Sequence, residues 1–297
     1  MAATTWMATY QQTTDAEFRA WGSATKAGLA AAGFVQTSDT GQIDWTTVLA
    51  PTVATTAQGY EIWSLNDAAQ STCPIFFKIE YGSGSTTPSA RPNIWITVGT
   101  GSNGSGTING VTILSRTAFN TSTNGVAGET PNWACCHDAS GAFWFALAPV
   151  NSSAPGGFFG IFRWAEDDDT VGTRGVTVIH QTTTGSTIIT THYRRALAST
   201  LSGRGGWSYP FSQTSATLAQ GLTLPVFYDY GQDADALRPM MGLFGHNSGD
   251  FQQGAIIPIT AYGATRNFIR IPGSGSGSPV GTDQAQSSAA KALFVYE

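Results

Sequence analysis

The amino-acid sequence predicts a mainly β protein, an antiparallel β-sandwich-like body with one N-terminal α-helix. Short runs of aromatic and β-branched residues recur along the chain, and glycine or proline clusters separate them. Their spacing favours antiparallel meanders or a sandwich over β-α-β units. The sequence has no repeat at a fixed period, which argues against a solenoid or a propeller.

The predicted helix lies near the start of the chain. Thr14 and Glu17 have the spacing of a capping box, in which each side chain accepts a hydrogen bond from the backbone of the other residue. The helix is expected to run from about Asp15 to Ala32, and Gly33 supplies a left-handed stop.

Small residues dominate the surface of this helix, because alanine and glycine separate its few bulky apolar side chains. Such a surface lets another backbone approach closely, so we expect the helix to pack against copies of itself or against another subunit. Residues 1–50 would then bury much of their apolar surface only in the assembly. A simple cover on the β core is the alternative. The expected contacts are Phe18, Trp21, Ala24, Gly28 and Leu29.

Strand signals follow the helix, and the alternation in Ile75-Phe77-Ile79 and in Ile94-Ile96-Val98 predicts half-buried sheet faces. We expect residues 1–50 to be a helix and attachment segment, residues 51–200 a β domain, and residues 201–297 a second, less regular β region. The predicted strands are Gly59–Leu65, Pro74–Tyr81, Asn93–Val98, Val111–Arg116, Ala142–Leu147, Phe158–Trp164, Val176–His180, Ser186–Thr191, Val226–Tyr230, Ala255–Ile259, Phe268–Ile271 and Leu293–Tyr296.

Charge and hydropathy exclude several classes of partner. Charged residues make up 11% of the chain, against roughly 25% in an average globular domain. The net charge is −5 and no basic stripe is present, so nucleic-acid binding is not expected. No run approaches the ~20 apolar residues of a membrane span, and the N-terminus lacks the basic and apolar regions of a secretory signal. Synthesis in the cytoplasm is therefore expected.

A glycine motif at Gly99–Gly104 matches G-x-G-x-x-G directly after a predicted strand. A dinucleotide site needs a helix next, because the helix N-terminus holds the pyrophosphate. The chain instead continues through Ser105–Gly110 into another strand, so this motif predicts a hairpin loop.

Other chemistry-bearing clusters are incomplete. Cys135-Cys136-His137-Asp138 lacks a second ligand pair at any spacing that zinc uses, and with Cys73 these cysteines form no disulfide framework. The acidic run Glu166–Asp169 lacks calcium-loop spacing, so a solvated hairpin tip is expected, and the run could also contact arginines of a neighbouring subunit. We predict no catalytic residue, no metal, no cofactor and no enzymatic activity.

Two tryptophans, Trp133 and Trp207, lie in Asn-, Gly- and Ser-rich contexts that are typical of loops. Exposed tryptophan side chains stack on sugar rings or anchor interfaces. These residues are therefore candidate glycan-stacking positions, although a place in the core is the ordinary role of a tryptophan.

Several segments share a pattern with a known class of proteins. They are Phe18–Gly22, Gly33–Thr37, Asp39–Trp45, Gly59–Trp63, Lys78–Gly84 and Val98–Gly104, with a weaker continuation at Gly141–Leu147. This pattern, over about the first third of the chain, resembles virion structural proteins of the tail and particle modules of tailed phages and prophages. The resemblance implies a multimeric virion component in the tail, baseplate or fibre apparatus, and it brings no catalytic residue.

The resemblance suits the low charge and the threonine- and glycine-rich loops, since both fit a β protein in a crowded assembly. The expected partners are other virion proteins and copies of the chain itself, with a host-surface glycan as a further candidate. Two alternatives stay open, a capsid decoration protein and a carbohydrate-binding receptor module.

Overall fold

The computed structural model of the chain describes part of its residues, and every structural statement below refers to these. They are residues 2–7, 14–31, 33–53, 55–83, 92–120, 132–137, 143–148, 157–165, 174–181, 188–194, 199–203, 206–208, 226–228, 237–239, 243–246, 256–261, 264–270 and 291–296. Side chains are described mainly between residues 14 and 118.

Helix α1 spans Asp15–Ala31, which confirms the predicted start and the predicted stop at Gly33, while its last residue lies one position before the predicted Ala32. The Thr14 backbone N–H donates to Glu17 Oε2 at 3.1 Å, and the Glu17 N–H donates to Thr14 Oγ1 at 3.2 Å, which completes the capping box. At the other end Gly33 has φ 100° and donates its N–H to the Ala30 carbonyl at 3.0 Å. The Phe34 N–H reaches the Leu29 carbonyl at 3.2 Å, so a Schellman motif ends the helix.

The first sheet contains five antiparallel strands in the order β2-β3-β4-β5-β6. Its strands are β2 (Val35–Gln36), β3 (Ala57–Ser64), β4 (Phe76–Ser83), β5 (Pro92–Ser102) and β6 (Ile108–Asn120). A 3-10 helix at Ala68–Ser71 lies between β3 and β4. Long β5 and β6 are joined by a short turn, so they form a hairpin that extends past the other strands.

The remaining described strands form sheets of seven, three and four strands, in the orders β1-β7-β8-β9-β10-β11-β12, β13-β14-β15 and β16-β19-β18-β17. All of their pairings are antiparallel. Their bounds are β1 Ala2–Met7, β7 Asn132–His137, β8 Phe143–Ala148, β9 Gly157–Ala165, β10 Arg174–Gln181, β11 Ile188–Arg194, β12 Ser199–Gly203, β13 Gly206–Ser208, β14 Val226–Tyr228, β15 Leu237–Pro239, β16 Leu243–His246, β17 Ile256–Ala261, β18 Ala264–Arg270 and β19 Lys291–Tyr296.

The mainly β class with one helix is confirmed for the described residues, and each predicted strand overlaps an observed one. Strands β1, β2, β7, β12, β13, β15 and β16 were not predicted. Strand β12 belongs to the seven-stranded sheet and the next strand, β13, belongs to the three-stranded sheet. This change of sheet lies close to the predicted boundary at residue 201. The sandwich-like arrangement and the division into domains stay predictions.

The core lies between α1 and the inner face of the first sheet. Ring centroids of Trp21 and Tyr81 are 5.5 Å apart, and Trp45 stacks edge-on against Tyr81 at 4.9 Å. The predicted half-buried faces are confirmed, because the alternating isoleucine, phenylalanine and valine side chains of β4 and β5 are buried here. The seven-stranded sheet adds Phe159, Ile161, Val176, Val178 and Tyr193 to the same cluster.

This packing corrects the expected role of the helix. Phe18, Trp21 and Leu29 have no exposed surface in a single chain, Gly28 is buried, and Ala24 is half-buried against the core. Side chains that are already buried in one chain cannot form a contact with another chain while that fold persists. The helix is therefore a cover on the sheet, and its small residues let the sheet and the following segment approach closely.

The hydrophobic core contains residues from both sides of the predicted boundary at residue 50. Phe18 and Trp45, which precede it, pack with Tyr81, which follows it. The helix and the first sheet therefore stabilise each other.

Candidate functional site

The face of the first sheet opposite the core, here called the outer face, carries charged and aromatic side chains. The five residues at its centre are Tyr60, Lys78, Glu80, Trp95 and Arg116. Strand pairing aligns Tyr60 with Glu80 and Glu80 with Trp95. Directly opposite residues share one face of a sheet, so these side chains form a row across β3, β4 and β5.

Glu80 joins two cations within this row. Its Oε2 accepts a hydrogen bond from Arg116 Nε at 2.7 Å, and its Oε1 lies 3.9 Å from Lys78 Nζ. Each cation also covers an aromatic ring: Lys78 Nζ lies 4.4 Å from the Tyr60 centroid, and Arg116 Cζ lies 4.3 Å from the Trp95 centroid. The carboxylate therefore fixes both cations over their rings.

Exposure within the outer face is uneven. The Arg116 side chain is 45% exposed, whereas Glu80 is 16% exposed and Trp95 is 5% exposed. Both oxygens of Glu80 already face cations, so this carboxylate is poorly placed to accept a proton from a substrate. The arrangement is suited to recognition of an oxyanion by Arg116 rather than to acid–base chemistry.

The glycine motif lies in the β5–β6 hairpin, as predicted, but only Asn103 and Gly104 belong to its turn, because Gly99–Ser102 form the end of strand β5. The Asn103 N–H donates to the Thr107 carbonyl at 3.0 Å, and Asn103 Oδ1 accepts the backbone N–H groups of Ser105 and Thr107 at 2.9 and 3.0 Å. Gly104 and Gly106 have φ of 79° and 94°, which other residues rarely adopt. A strand follows this motif, so no helix N-terminus is available there for a pyrophosphate.

A buried carboxylate holds this hairpin against the segment that precedes β3. Asp39 is 9% exposed and accepts hydrogen bonds from the Ser102 hydroxyl, from the Gly106 N–H at 3.2 Å and from the Thr37 hydroxyl at 2.6 Å. Burial raises the pKa of Asp39, but the hydrogen bonds outweigh this effect and lower the pKa below its ordinary value. The Thr40 N–H donates to the Gly104 carbonyl at 2.9 Å beside this carboxylate.

Replacement of Asp39 is expected to destabilise the fold in a pH-dependent way. Asp39→Ala leaves its donors without their acceptor, and we expect a loss of about 2 to 3 kcal/mol in the free energy of unfolding at neutral pH. Because the folded-state pKa is lowered, the stabilisation is present above the ordinary pKa of 3.8 and is lost as the pH falls through the folded-state pKa. Urea unfolding followed by tryptophan fluorescence at several pH values measures this difference.

Asp44→Ala is the matched control for Asp39. The Asp44 carboxylate is exposed and accepts hydrogen bonds from its near neighbours Thr46 and Thr47. Its loss is expected to change the unfolding transition less than the loss of Asp39. Equal effects of the two variants would contradict an anchoring role for Asp39.

Glu61 lies on β3 and points into the core, where it has no exposed surface. Its Oε1 accepts the Trp45 indole N–H at 3.0 Å, and its Oε2 accepts the Tyr81 hydroxyl at 2.7 Å and the Trp63 indole N–H at 3.3 Å. Burial raises the pKa of Glu61, although these hydrogen bonds and the charge of Lys26 partly oppose the shift. A fully buried carboxylate cannot reach a ligand, so Glu61 positions the core.

The burial of Tyr81 raises its pKa well above the ordinary value, and the charge of Glu61 acts in the same direction. The hydroxyl of Tyr81 therefore stays protonated and remains a donor to Glu61. Together Glu61, Tyr81, Trp45 and Trp63 link the segment after α1 to strands β3 and β4.

The tryptophans proposed for glycan stacking lie on strands rather than in loops, which corrects their predicted context. Trp133 is in β7, where its Cα is paired with Trp6 of β1 and with Leu147 of β8. Trp207 is in β13 and is paired with Phe227. Their side chains lie outside the described residues, so the stacking role stays a prediction.

Three other sequence features are placed only in part. Cys135, Cys136 and His137 belong to β7, but their side chains are not described. Cys73 is buried and forms no disulfide within the described part of the chain. The acidic run Glu166–Asp169 lies outside the described residues and connects β9 to β10, whose pairing ends with Ala165 opposite Arg174. In the described part of the chain, we find no group of three or more metal-capable side chains and no helix that meets the length and hydropathy needed to span a membrane.

Sequence reasoning missed Asp39, Glu61 and the outer face as connected features. Part of the outer face had a signal, because the inward alternation of Ile75, Phe77 and Ile79 turns Lys78 and Glu80 outward. No local signal pairs Arg116 with Glu80, since β4 and β6 come together only through β5.

Comparisons of the chain with protein-family models, with curated proteins and with solved structures found no match in any of the three.

Proposed function

We propose that the chain is a structural component of a tailed-phage virion, in the tail, baseplate or fibre apparatus, and that it acts through protein–protein assembly. The observation that carries this proposal is the outer face. Tyr60 and Arg116 belong to the residue types that dominate the energetics of protein interfaces, and the Glu80 carboxylate and the buried Trp95 ring hold the Arg116 side chain in place.

The placement of the segments that resemble virion proteins also supports the proposal. Asp39 contacts the turn after β5, Trp45 donates to Glu61, and Trp21 packs on Tyr81. The residues that carry the resemblance therefore hold one another in a single helix-and-sheet unit.

The charged side chains described above make their main contacts with other residues of the same chain. Asp39 anchors the hairpin, Glu61 anchors the aromatic core, and Glu80 holds Lys78 and Arg116. This use of carboxylates favours a structural role over acid–base catalysis, which needs a carboxylate that faces a substrate.

Purified virions from the phage or prophage that encodes the chain provide the test. Quantitative mass spectrometry of the particles, with immunogold labelling, is expected to find the protein at the tail in a few dozen copies or fewer. Hundreds of copies on the head would replace this assignment with capsid decoration. Absence of the protein from intact particles would contradict a virion role.

A further inference from the structure

Strand β3 extends well past its neighbour β2. In the part of the chain that the structure describes, β2 lies beside β3 on the side away from β4, and β2 consists of Val35–Gln36. These two residues pair with Ser64 and Trp63 at the end of β3. Strand β3 begins at Ala57, so the backbone groups before Trp63 that point away from β4 need other hydrogen-bond partners.

The segment that follows β2 supplies these partners without forming a strand itself. The Thr37 N–H donates to the Ile62 carbonyl at 2.9 Å, and the Ile43 N–H donates to the Tyr60 carbonyl at 2.8 Å. Between these two backbone bonds, the Ile62 N–H donates to the side-chain oxygen Oε1 of Gln42 at 2.8 Å. A glutamine amide therefore takes the position at which a further strand would place a backbone carbonyl.

Contacts to neighbouring residues fix the Gln42 side chain in this position. Its Nε2 donates to the Thr37 carbonyl at 2.6 Å and to the Asp39 carbonyl at 3.2 Å. Its Oε1 accepts a second hydrogen bond, from Gln36 Nε2 at 2.9 Å. Both polar atoms of the amide are therefore used, and its oxygen is held toward β3. The segment as a whole is tied down by the Asp39 carboxylate, which accepts the Gly106 N–H of the β5–β6 hairpin.

A strand edge of this composition would pair readily with another chain if it were uncovered. Open edges offer a row of N–H and C=O groups to any strand that approaches. Tyr60, Ile62 and Trp63 have high β-propensity, and β3 contains neither lysine nor proline, which commonly protect an edge. Glu61, its one charged residue, points into the core. Protection of this edge therefore depends on the segment before β3, and on Gln42 in particular.

We propose that Gln42 guards the β3 edge, because its amide occupies the hydrogen-bonding position that a strand from a second copy of the chain would otherwise take. The guard closes this edge to association and leaves the outer face of the same sheet unaffected. It is independent of the virion role, since an open strand edge is a liability in any β protein.

Hydrogen exchange and sedimentation velocity on the purified full-length chain test the guard. Gln42→Met keeps the length of the side chain but removes the amide, so the Ile62 N–H loses its acceptor. In dilute protein, we expect the Ile62 amide, followed by NMR, to exchange about tenfold faster than in the wild type. At higher concentration, we expect the Kd of self-association to fall at least about tenfold, and the Ile62 amide to regain protection in the associated form.

Gln36→Met is the matched control, because Gln36 also contributes an amide to this hydrogen-bond network but does not bond to β3 through its side chain. Its Ile62 exchange and its self-association are expected to stay close to those of the wild type. Gln42→Asn repeats the test with an amide that is one methylene too short to reach Ile62, in case Gln42→Met does not fold. Circular dichroism checks the fold of each variant.

The guard is overturned if the Ile62 amide exchanges in the Gln42 variants as it does in the wild type, or if faster exchange brings no more self-association than in Gln36→Met. An associated form that leaves Ile62 unprotected would also overturn it, because association would then use another surface. Failure of both Gln42 variants to fold would overturn it as well, since Gln42 would then be needed for the fold itself. None of these results changes whether the protein is present in virions, so the guard and the proposed function fail separately.

Discussion

Replacing Glu61 with alanine is expected to lower the free energy of unfolding by about 4 kcal/mol, a large part of the stability of an ordinary domain. The substitution removes the acceptor for Trp45, Trp63 and Tyr81, all of which are buried at the centre of the core. Buried donors without an acceptor keep the full cost of their lost hydration. Urea unfolding of the purified chain, followed by fluorescence and far-UV circular dichroism, measures the change.

Two variants separate the hydrogen bonds of Glu61 from its charge. Glu61→Gln keeps one acceptor but turns an amide N–H₂ group toward a donor, so we expect an intermediate loss of about 1 to 3 kcal/mol at neutral pH. Glu80→Ala removes a carboxylate of the same strand pair from the outer face, and it is expected to cost under about 1 kcal/mol. A cost for Glu61→Ala as small as that of Glu80→Ala would show that the aromatic donors find other acceptors.

The pH dependence of Glu61 has a definite sign. Its folded-state pKa is raised above the ordinary 4.5, so its contribution to stability is greatest below pH 4.5 and declines as the pH rises through the folded-state pKa. The groups that face it are Lys26, which is cationic, and Tyr81, whose raised pKa keeps it protonated. The stability of the wild type relative to Glu61→Gln is therefore expected to fall over this range and then to level off. A constant difference would contradict the raised pKa.

The sequence was sufficient to predict features that depend on residues close together in the chain, namely the helix ends and the β5–β6 hairpin. The capping box of Thr14 and Glu17 and the stop at Gly33 act within a few residues of each other, so the helix ends could be predicted. The hairpin at Gly99–Gly104 was predictable for the same reason, because the next residues favour a strand over a helix.

The pairing of strands that are far apart in the sequence could not be predicted from such local patterns. Strand β7, with the sequence NWACCH, has no clear apolar–polar alternation, and it is set by pairing with β1 and β8. β-propensity depends on such neighbours more than on the strand's own residues. Glu61 likewise finds its hydrogen-bond donors in other parts of the chain, since Trp45 precedes β3 and Tyr81 lies on β4.

The role of α1 shows what composition alone leaves open. The sequence indicated correctly that the helix has a small-residue surface, but it could not show what covers that surface. The structure supplies Trp45, a residue beyond the helix and in the same chain, whose ring lies against Gly22. The cover comes from a short connection rather than from another subunit.

Gly22→Ala tests this packing, because the usual effect of the substitution and the effect expected here have opposite signs. Alanine inside a helix normally stabilises it by roughly 0.5 to 1 kcal/mol relative to glycine. A Cβ at position 22 would instead overlap the Trp45 ring. That ring cannot retreat easily, since Phe18 and Tyr81 pack around it and its indole N–H is bound to Glu61 at 3.0 Å. We therefore expect a loss of about 3 kcal/mol in the free energy of unfolding.

A double-mutant cycle identifies Trp45 as the cause of that loss. Trp45→Leu is destabilising by itself because it removes a large buried ring and a hydrogen bond to Glu61. In that background, however, Gly22→Ala should cost much less, and the two changes should be strongly non-additive. Ser23→Ala, at an exposed position of the same helix, controls for helix propensity and is expected to be neutral or slightly stabilising. If Gly22→Ala behaved like Ser23→Ala in a monomeric chain, the helix would not rest on Trp45, and its small-residue surface would again be available to another subunit.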